Sequence, residues 1–373
     1  MKPLVGLFLV TLTLLSCGRH VTRQQEGGDS IRLQYATLPQ MVRYDGYTVV
    51  TLANPWKQGR VLHTYVLVPR EKPLPDQLPE GTVIRTPLQR AVVFTTVHSA
   101  LLVTLGCQER IAGVADLKYI KIPYVQQQVK AGRIVDCGDG LSPVVEKIID
   151  VKPDAILLSP FENSGGYGKL EEIDIPLVEC AEYMETSPLA RAEWMKFYGM
   201  LFGVEQKTDS LFAVVDSSYH ALKAQAAQAG QGRLALVDKM VGSVWYVPGG
   251  RSTIGQMIHD ACGRYPWSDD THSGSLSLPF ETVLERGEDA DVWCYRYSSD
   301  HQTTFRELLS EHQGYDQLKA FRLREVYACN VEQTLFYEET PFRPDYLLGD
   351  FIQMLHPEMT TTVPLRYYQK LND

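Results

Sequence analysis

Cys17 is the residue near the amino terminus whose chemistry is best defined by its surroundings. One lysine, Lys2, precedes a short apolar run that ends at Leu15, and Ser16 stands directly before the cysteine. The run is too short to span a bilayer as a helix and is typical of a signal peptide. A small residue before cysteine suits a lipoprotein signal peptidase, so we expect a mature chain that begins with lipidated Cys17. The alternative is an ordinary secretory signal cleaved nearby, and residues 1–16 lie outside the fold in both cases.

Other side chains that could do chemistry are dispersed along the chain. The nine histidines are scattered, and no Cys-x-x-Cys or histidine pair has metal-ligand spacing, so no metal site is expected. Hydrolase motifs, a P-loop and a G-x-G-x-x-G motif are absent. Gly249-Gly250 is expected to form a tight turn, with Ser252 or Thr253 as N-cap of the following helix. These absences argue against an enzyme and against a cofactor.

Six cysteines remain after Cys17, and an oxidising compartment would allow some to pair. The sequence does not say which of them do so. They are Cys107, Cys137, Cys180, Cys262, Cys294 and Cys329.

Composition indicates a globular protein behind a tether. Residues 17–30 are rich in Gly, Gln and charge, and we expect them to be flexible. About 340 residues follow, enough for two lobes of ordinary size. The chain is 44% hydrophobic and 22% charged, with a formal net charge of −9. That acidic balance argues against nucleic acid or an anionic membrane surface as the main partner.

The folded part contains two regions with different hydrophobic patterns. Residues 47–52 and 61–68 alternate apolar and polar side chains, so residues 31–83 are predicted to form a small β segment. Residues 69–79 contain four prolines and are expected to be a rigid connection. From Arg90 onward, short apolar runs alternate with helical stretches, which is typical of an α/β lobe with a largely parallel sheet.

A repeat and a long helix organise the rest. Residues 142–157 resemble residues 277–292 in the spacing of Ser, Glu and an Asp-Ala step, and each copy predicts a helix followed by a buried strand. Chance similarity of two capped helices is the alternative. Ser187-Pro188 predicts a helix start and Gly203 its end. A second helix, from about Lys207 to Gln228, would span about 33 Å and link two lobes.

Several short matches occur in a fixed order from Arg90 to Glu358. They are Thr95-Thr96-Val97-His98 followed by Leu105-Gly106, Val151-Lys152-Pro153-Asp154, the helix from Gly203 to Gln228, Asp260-Ala261-Cys262-Gly263, Asp289-Ala290-Asp291, and Arg343-Pro344-Asp345 leading to Leu355-His356-Pro357. In this order, behind a lipoprotein signal, the chain resembles the helical-backbone (class III) periplasmic binding proteins of ABC importers. That family carries iron–siderophore complexes, haem and cobalamin.

The resemblance implies an α/β fold of two Rossmann-like lobes with central parallel sheets, joined by one long rigid helix. The lobes would span residues 84–204 and 230–373, with the helix at 205–229. The β segment at 31–83 is an addition that compact members lack. Ligands of such sheets bind at the carboxyl ends of the strands.

The candidate ligand-binding residues follow those strands. They are Thr96, His98, Tyr119, Tyr183, Met184, Trp245, Tyr246, Arg251, Tyr295 and Tyr297. Aromatic rings suit a large, flat or greasy chelate, and arginine pairs with ligand carboxylates or catecholates. Packing in the core is the alternative for each aromatic ring. His98 would either ligate a haem or corrinoid metal or serve as a core or capping histidine.

The function implied is capture of an iron chelate, siderophore or haem, or else of a corrinoid, in the cleft between the lobes and its delivery to an inner-membrane ABC permease. Glu162 and Asp300, which follow the repeated units, are the candidate docking residues, with ordinary surface charge as the alternative. We expect a monomer in the periplasm, anchored by lipid. The competing hypothesis is a membrane-tethered adaptor that grips a partner protein through the β segment.

Overall fold

The computed structural model describes residues 27–162, 166–359 and 364–373. The predicted signal peptide, Cys17 and most of the predicted tether therefore lie outside the described residues. Within them the chain forms an N-terminal sheet and two α/β lobes joined by a long helix. No helix in these ranges is both long enough and apolar enough to cross a membrane.

The N-terminal sheet contains strands that are neighbours in chain order. They are β1 (Asp29–Ile31), β2 (Pro39–Tyr44), β3 (Tyr47–Ala53), β4 (Val61–Pro69) and β5 (Thr82–Thr86). Strands β1 to β4 pair antiparallel, and β5 pairs parallel with β4. Two expectations need correction, because Asp29 and Ser30 belong to β1 and not to a tether, and β5 continues past Val83.

Both faces of this sheet are covered. Along β4, Tyr65 and Leu67 face the core of the first lobe, while Val66 and Val68 face outward. Leu78, from the proline-rich connection, packs on the outward cluster. The period of two along each strand thus buries apolar side chains on both sides.

The N-terminal lobe has a parallel sheet, as the apolar runs predicted. Its strands are β6 (Ala91–Val93), β7 (Ile111–Val114), β8 (Val135–Asp136), β11 (Ala155–Leu158) and β12 (Leu177–Glu179), with a hairpin of β9 (Gly138–Asp139) and β10 (Ser142–Pro143) before β11. The strand order is β12-β11-β6-β7-β8, and every pairing is parallel. The helices that cross between these strands are α1 (Thr96–Thr104), α2 (Pro123–Lys130) and α3 (Val145–Val151).

Three helices carry the chain from one lobe to the other. They are α4 (Pro188–Glu193), α5 (Met195–Phe202) and α6 (Glu205–Ala229). The Ser187 hydroxyl accepts the amide N–H of Ala190, which confirms the predicted cap. Gly203, at φ 66°, ends α5 as predicted, although the helix is interrupted at Trp194. The length of α6 is about 37 Å.

The C-terminal lobe has a mixed main sheet. Its strands in chain order are β13 (Ala235–Val237), β14 (Met240–Val241), β15 (Val244–Pro248), β16 (Ser275–Leu278), β17 (Val292–Tyr297), β18 (Val326–Asn330) and β19 (Gln369–Lys370). The main sheet has the order β13-β17-β18-β19; its first three strands are parallel and its last runs antiparallel, so the sheet is largely parallel, as predicted. Strands β14 to β16 form a separate antiparallel sheet.

Six α-helices belong to the described part of this lobe. They are α7 (Thr253–Asp260), α8 (Phe280–Gly287), α9 (Phe305–Glu311), α10 (Lys319–Arg322), α11 (Phe336–Glu339) and α12 (Pro344–Leu355). Ser252 caps α7 by accepting the amide N–H of Gly255 at 3.0 Å, as predicted. Both copies of the sequence repeat place a helix, α3 or α8, directly before a central strand of a main sheet.

Buried carboxylates attach the N-terminal segment to the first lobe. Glu193 is fully buried and accepts the amide N–H groups of Gln34, Tyr35 and Ala36 at 2.9, 2.8 and 3.0 Å. Burial alone would raise the pKa of Glu193, but these amides and the Lys196 ammonium outweigh it and lower that pKa. The charge is therefore stabilised at the interface instead of being an unpaired buried ion.

We expect Glu193→Ala to lower the free energy of unfolding by about 3 kcal/mol, because three amide donors lose their buried acceptor. Urea unfolding at pH 7 measures this. The matched control is Glu205→Ala, which removes a half-exposed ion pair with Arg43 and should cost less than about 1 kcal/mol. Equal losses in both variants would contradict the interpretation.

The loss of stability caused by Glu193→Ala should depend on pH. A carboxylate whose folded pKa is lowered contributes stability above its unfolded pKa, about 4.3, and loses that contribution as pH falls. The gap in stability between the unmodified chain and Glu193→Ala should therefore narrow below about pH 4.

Candidate functional site

A pocket of about 510 Å³ opens at the carboxyl ends of the strands of the N-terminal lobe. Phe94 follows β6, Asp116 follows β7, and Phe161 follows β11. Leu141, between β9 and β10, and Tyr167 complete the walls. We name this cavity the carboxyl-edge pocket. Its volume lies within the range of small-molecule sites.

The walls of the carboxyl-edge pocket are mainly apolar, with two charged side chains, Asp116 and Lys169. Phe161 is 47% exposed and Leu141 is 81% exposed, so both present apolar surface that the protein itself does not cover. Exposed apolar surface that lines a concave site is typical of a ligand-binding region.

Asp116 is held in an unusual way. Its backbone lies in the left-handed region at φ 53°, and its amide N–H donates to the Gly138 carbonyl oxygen at 2.8 Å. A Cβ at Gly140 would lie 2.6 Å from Asp116 Oδ2, so only glycine leaves room for the carboxylate there. Among the residues that the structure describes, the carboxylate has no hydrogen bond or ion pair. It is available to a donor or cation on a bound molecule.

The two lobes meet beside this pocket. Thr95 lines it, and the next residue, Thr96, donates its hydroxyl to Glu338 Oε1 of α11 at 2.9 Å. A second contact joins Lys121 Nζ to Glu332 Oε2 at 2.5 Å. Burial raises the pKa of Glu338, although the Thr96 hydroxyl works in the opposite direction. A molecule in the pocket would thus lie next to the junction of the lobes.

His98 belongs to the core beneath this junction. Its Nε2 lies 3.0 Å from the Tyr198 hydroxyl and 3.3 Å from Glu182 Oε1, and its Nδ1 contacts the Thr95 hydroxyl. Burial would lower the pKa of His98, but Cys180 and the Glu182 carboxylate outweigh burial and raise it. The side chain is 1% exposed, which favours the core histidine over the metal ligand.

The other candidates from the first lobe lie near the carboxyl edge. Tyr119 is 60% exposed in the short turn Leu117–Tyr119 directly after Asp116. Tyr183 and Met184 follow β12 and are partly buried, and the Tyr183 hydroxyl donates to the Pro160 carbonyl oxygen. Neither these three residues nor Thr96 line the carboxyl-edge pocket.

Two candidates from the second lobe are core residues. The Trp245 indole is fully buried, and its Nε1 donates to the Val237 carbonyl oxygen at 2.9 Å. Tyr295 is also fully buried, with its ring 5.4 Å from that of Trp293. Because both rings are enclosed by protein, neither offers surface to a ligand, and the expected role is corrected to packing.

The remaining candidates of the second lobe are separate from the carboxyl-edge pocket, which is lined by the first lobe. Tyr246 is 44% exposed on the small sheet, and Arg251 is exposed before α7. Tyr297 accepts the amide N–H of Thr303 at 3.2 Å and lines a polar hollow of about 360 Å³.

The lining residues of the pocket include several that sequence reasoning missed. Asp116 and Phe161 follow the apolar runs at 111–114 and 155–158, so the rule that placed Thr96 at a strand end would have found them. Leu141 and Tyr167 lie in irregular segments, where the sequence carries no periodic signal. The segments that contain Leu141 and Tyr167 come close together because of the order of the strands in the sheet.

Neither a metal site nor a disulfide is seen in the described residues. No group of three or more His, Cys, Asp or Glu side chains there could hold a metal ion. The six cysteines from Cys107 to Cys329 carry free thiols.

Glu162 and Asp300 are both exposed, in the loops after β11 and β17. A hydrogen bond from His301 lowers the pKa of Asp300, so its carboxylate is charged. The two residues occupy corresponding ends of the two main sheets.

A sequence model of the family described as periplasmic binding proteins matches residues 92–332. The chain belongs to this family. An uncharacterized lipoprotein of Methanocaldococcus jannaschii is 26% identical over 364 residues, covering 91% of this chain and 85% of the relative.

Solved structures of periplasmic binding proteins share the fold. A periplasmic haem-binding protein from Pseudomonas aeruginosa is similar with a TM-score of 0.58 and 16% identity, covering 77% of this chain and 99% of that one. A periplasmic vitamin B12-binding protein from Vibrio cholerae has a TM-score of 0.52 and 15% identity, covering 74% and 99%. The family match begins after the N-terminal sheet, which ends at Thr86.

Proposed function

We propose that this periplasmic binding protein captures an iron chelate, siderophore or haem, in the carboxyl-edge pocket and delivers it to an ABC permease. A corrinoid is the second cargo considered. The observation that carries the proposal is an open, mainly apolar pocket with uncovered aromatic surface at the carboxyl edge, beside the lobe junction. Binding, and not catalysis, is the activity that such a site supports.

The chemistry of the walls favours a chelate over a bare ion. A bare metal ion needs several converging carboxylates or imidazoles, and the described residues hold no such group. An organic chelate offers a large apolar surface, which Phe161 and Leu141 would cover, and polar edges that Asp116 and Lys169 would meet. The two structural neighbours named for haem and vitamin B12 bind cargo of this size class by their names.

The proposal also includes where the protein is anchored and how it contacts the permease. Lipidation of Cys17 would tether the folded part to the periplasmic side of a membrane, and the lipoprotein relative supports this arrangement. Glu162 and Asp300 would dock on basic side chains of the permease, since each is exposed at the same edge of its lobe.

We expect the chain from Gly18 onward to bind haemin, a ferric hydroxamate siderophore or cyanocobalamin with a Kd of micromolar or below, as measured by isothermal titration calorimetry. Phe161→Ala should weaken that binding about tenfold, because it removes an aromatic wall of the pocket. Asp116→Asn should weaken it if the cargo presents a cation or donor there.

Leu323→Ala is the matched control for these variants. Leu323 is 59% exposed before β18, at the amino edge of the second lobe, and its loss should leave the Kd unchanged. Absence of saturable binding to all three probes, or equal weakening by Leu323→Ala, would overturn the proposed cargo class.

We expect Cys17→Ser to abolish the lipid anchor. In cells the unmodified protein should partition into the detergent phase of a Triton X-114 extract and take up labelled palmitate, whereas the variant should do neither. Ser16→Ala keeps both the cysteine and a small residue before it, and as the control it should behave like the unmodified protein in both measurements. Incorporation of palmitate into Cys17→Ser would contradict anchoring at this residue.

Charge reversal tests the docking residues. The double variant Glu162→Lys with Asp300→Lys should lose most cargo-stimulated ATP hydrolysis by the reconstituted permease while its cargo Kd stays unchanged, because only the rim charges differ. Glu146→Lys, an exposed acid on α3, is the control. Full stimulation by the double variant would exclude these two residues as the docking pair.

A further inference from the structure

The N-terminal sheet reaches the carboxyl-edge pocket through a chain of polar side chains. Tyr167, in the pocket wall, donates its hydroxyl to Glu179 Oε1 at 2.6 Å. The other carboxylate oxygen, Oε2, lies 3.1 Å from Nδ1 of His63 on β4. His63 Nε2 in turn lies 2.8 Å from the Thr82 hydroxyl on β5. A residue of the pocket is thus linked to two strands outside the region matched by the family.

Glu179 lies where the N-terminal lobe meets the N-terminal sheet. It is the last residue of β12, the edge strand of the N-terminal lobe, and it is 6% exposed. Its amide N–H donates to the Tyr65 hydroxyl of β4 at 2.8 Å, so the N-terminal sheet holds both its backbone and its side chain. Its carboxylate is held by the hydrogen bond from Tyr167 to Oε1 and by the charge contact of Oε2 with His63, which lacks hydrogen-bond geometry. A buried carboxylate held in this way has few alternative orientations.

His63 is itself fixed on two sides. Its ring stacks on that of Tyr65, with centroids 4.4 Å apart and planes 16° apart. The Thr82 hydroxyl fixes the far nitrogen of the ring. The imidazole therefore presents Nδ1 to Glu179 in one orientation. At the other end, burial and the Glu179 carboxylate raise the pKa of Tyr167, which keeps its phenol protonated as the donor.

We propose that the N-terminal sheet pre-organises the cargo site, with His63 acting as a positioning residue for Tyr167 through Glu179. This role rests on the proposed function of the carboxyl-edge pocket. Loss of His63 removes the nitrogen that lies 3.1 Å from Glu179 Oε2, a buried oxygen with no hydrogen-bond partner among the described residues, and the carboxylate turns away from Tyr167. The released phenol must then be ordered again when cargo binds, and that cost appears as weaker affinity.

A measurement without cargo tests the positioning directly. Fluorotyrosine is incorporated at position 167 in the chain from Gly18 onward, which contains every described residue, and its ¹⁹F resonance is recorded. His63→Ala should shift or broaden this resonance by more than its linewidth, and His63→Gln, which keeps an N–H donor, should largely restore it. An unchanged resonance in His63→Ala would overturn the proposal.

The matched control is His220→Ala. His220 also touches the N-terminal segment, with Nε2 2.9 Å from the Tyr35 hydroxyl, but it lies outside the chain of contacts to Tyr167. It should leave the resonance in place. If His63→Ala fails to fold by circular dichroism, Thr82→Val removes the outer support of the imidazole and replaces it in the test. An equal change in His220→Ala would also count against the proposal.

A double-mutant cycle then tests the effect on cargo. His63→Ala and Tyr167→Phe should each weaken binding of haemin, or of whichever probe the unmodified chain binds, about fivefold. The double variant should be no weaker than either single variant, because both changes break one chain of contacts. Additive losses would overturn the positioning role while leaving the proposed cargo site intact. If the unmodified chain binds no probe, the proposed function fails, and the ¹⁹F result decides the positioning role alone.

Discussion

Parallel pairing in the N-terminal lobe is the constraint on which the site depends. Strands β6, β7 and β11 run side by side in the same direction, so each must be followed by a crossing connection, and all three end at one edge. Phe94, Asp116 and Phe161 are distant in sequence but become neighbours for this reason. The strands can be buried on both faces because helices cover them, and Val92 and Ile156 have no exposed surface.

The N-terminal sheet is attached by a different kind of interaction, the buried carboxylate. Glu179, Glu185 and Glu193 lie within one stretch of chain. Glu185 and Glu193 accept hydrogen bonds from the N-terminal segment, and Glu179 Oε2 lies 3.1 Å from His63 of that segment. Burying a charge is costly unless several donors surround it, so these contacts are specific in geometry as well as stabilising. Their concentration favours a sheet that is an integral part of the first lobe over an adaptor held loosely for a partner protein. Both of its faces are already covered by the chain itself.

The sequence predicted the elements better than the side chains that face the site. Caps such as Ser187 and Ser252 could be predicted because they depend on a few neighbouring residues. Parallel strands could be predicted from short apolar runs, since a strand buried on both faces needs little else. Trp245 and Tyr295 were placed in the site because aromatic residues follow or end strands, but the choice between core and cleft depends on which helices pack above them. The helices that pack above a residue are determined by long-range contacts, which short sequence patterns do not reveal.

The junction of the lobes combines strong and weak contacts in a way that suits a binding protein. Helices α6 and α12 carry a continuous apolar interface, in which Val215, Phe351 and Leu348 are almost completely buried. Near the pocket, Phe342 packs its ring on that of His98, both buried, and Lys121 pairs with Glu332, whose side chains are each 34% exposed. Such pairs contribute little stability. Helices α6 and α12 therefore fix how the lobes are joined, and the pair of Lys121 and Glu332 adds little to that attachment.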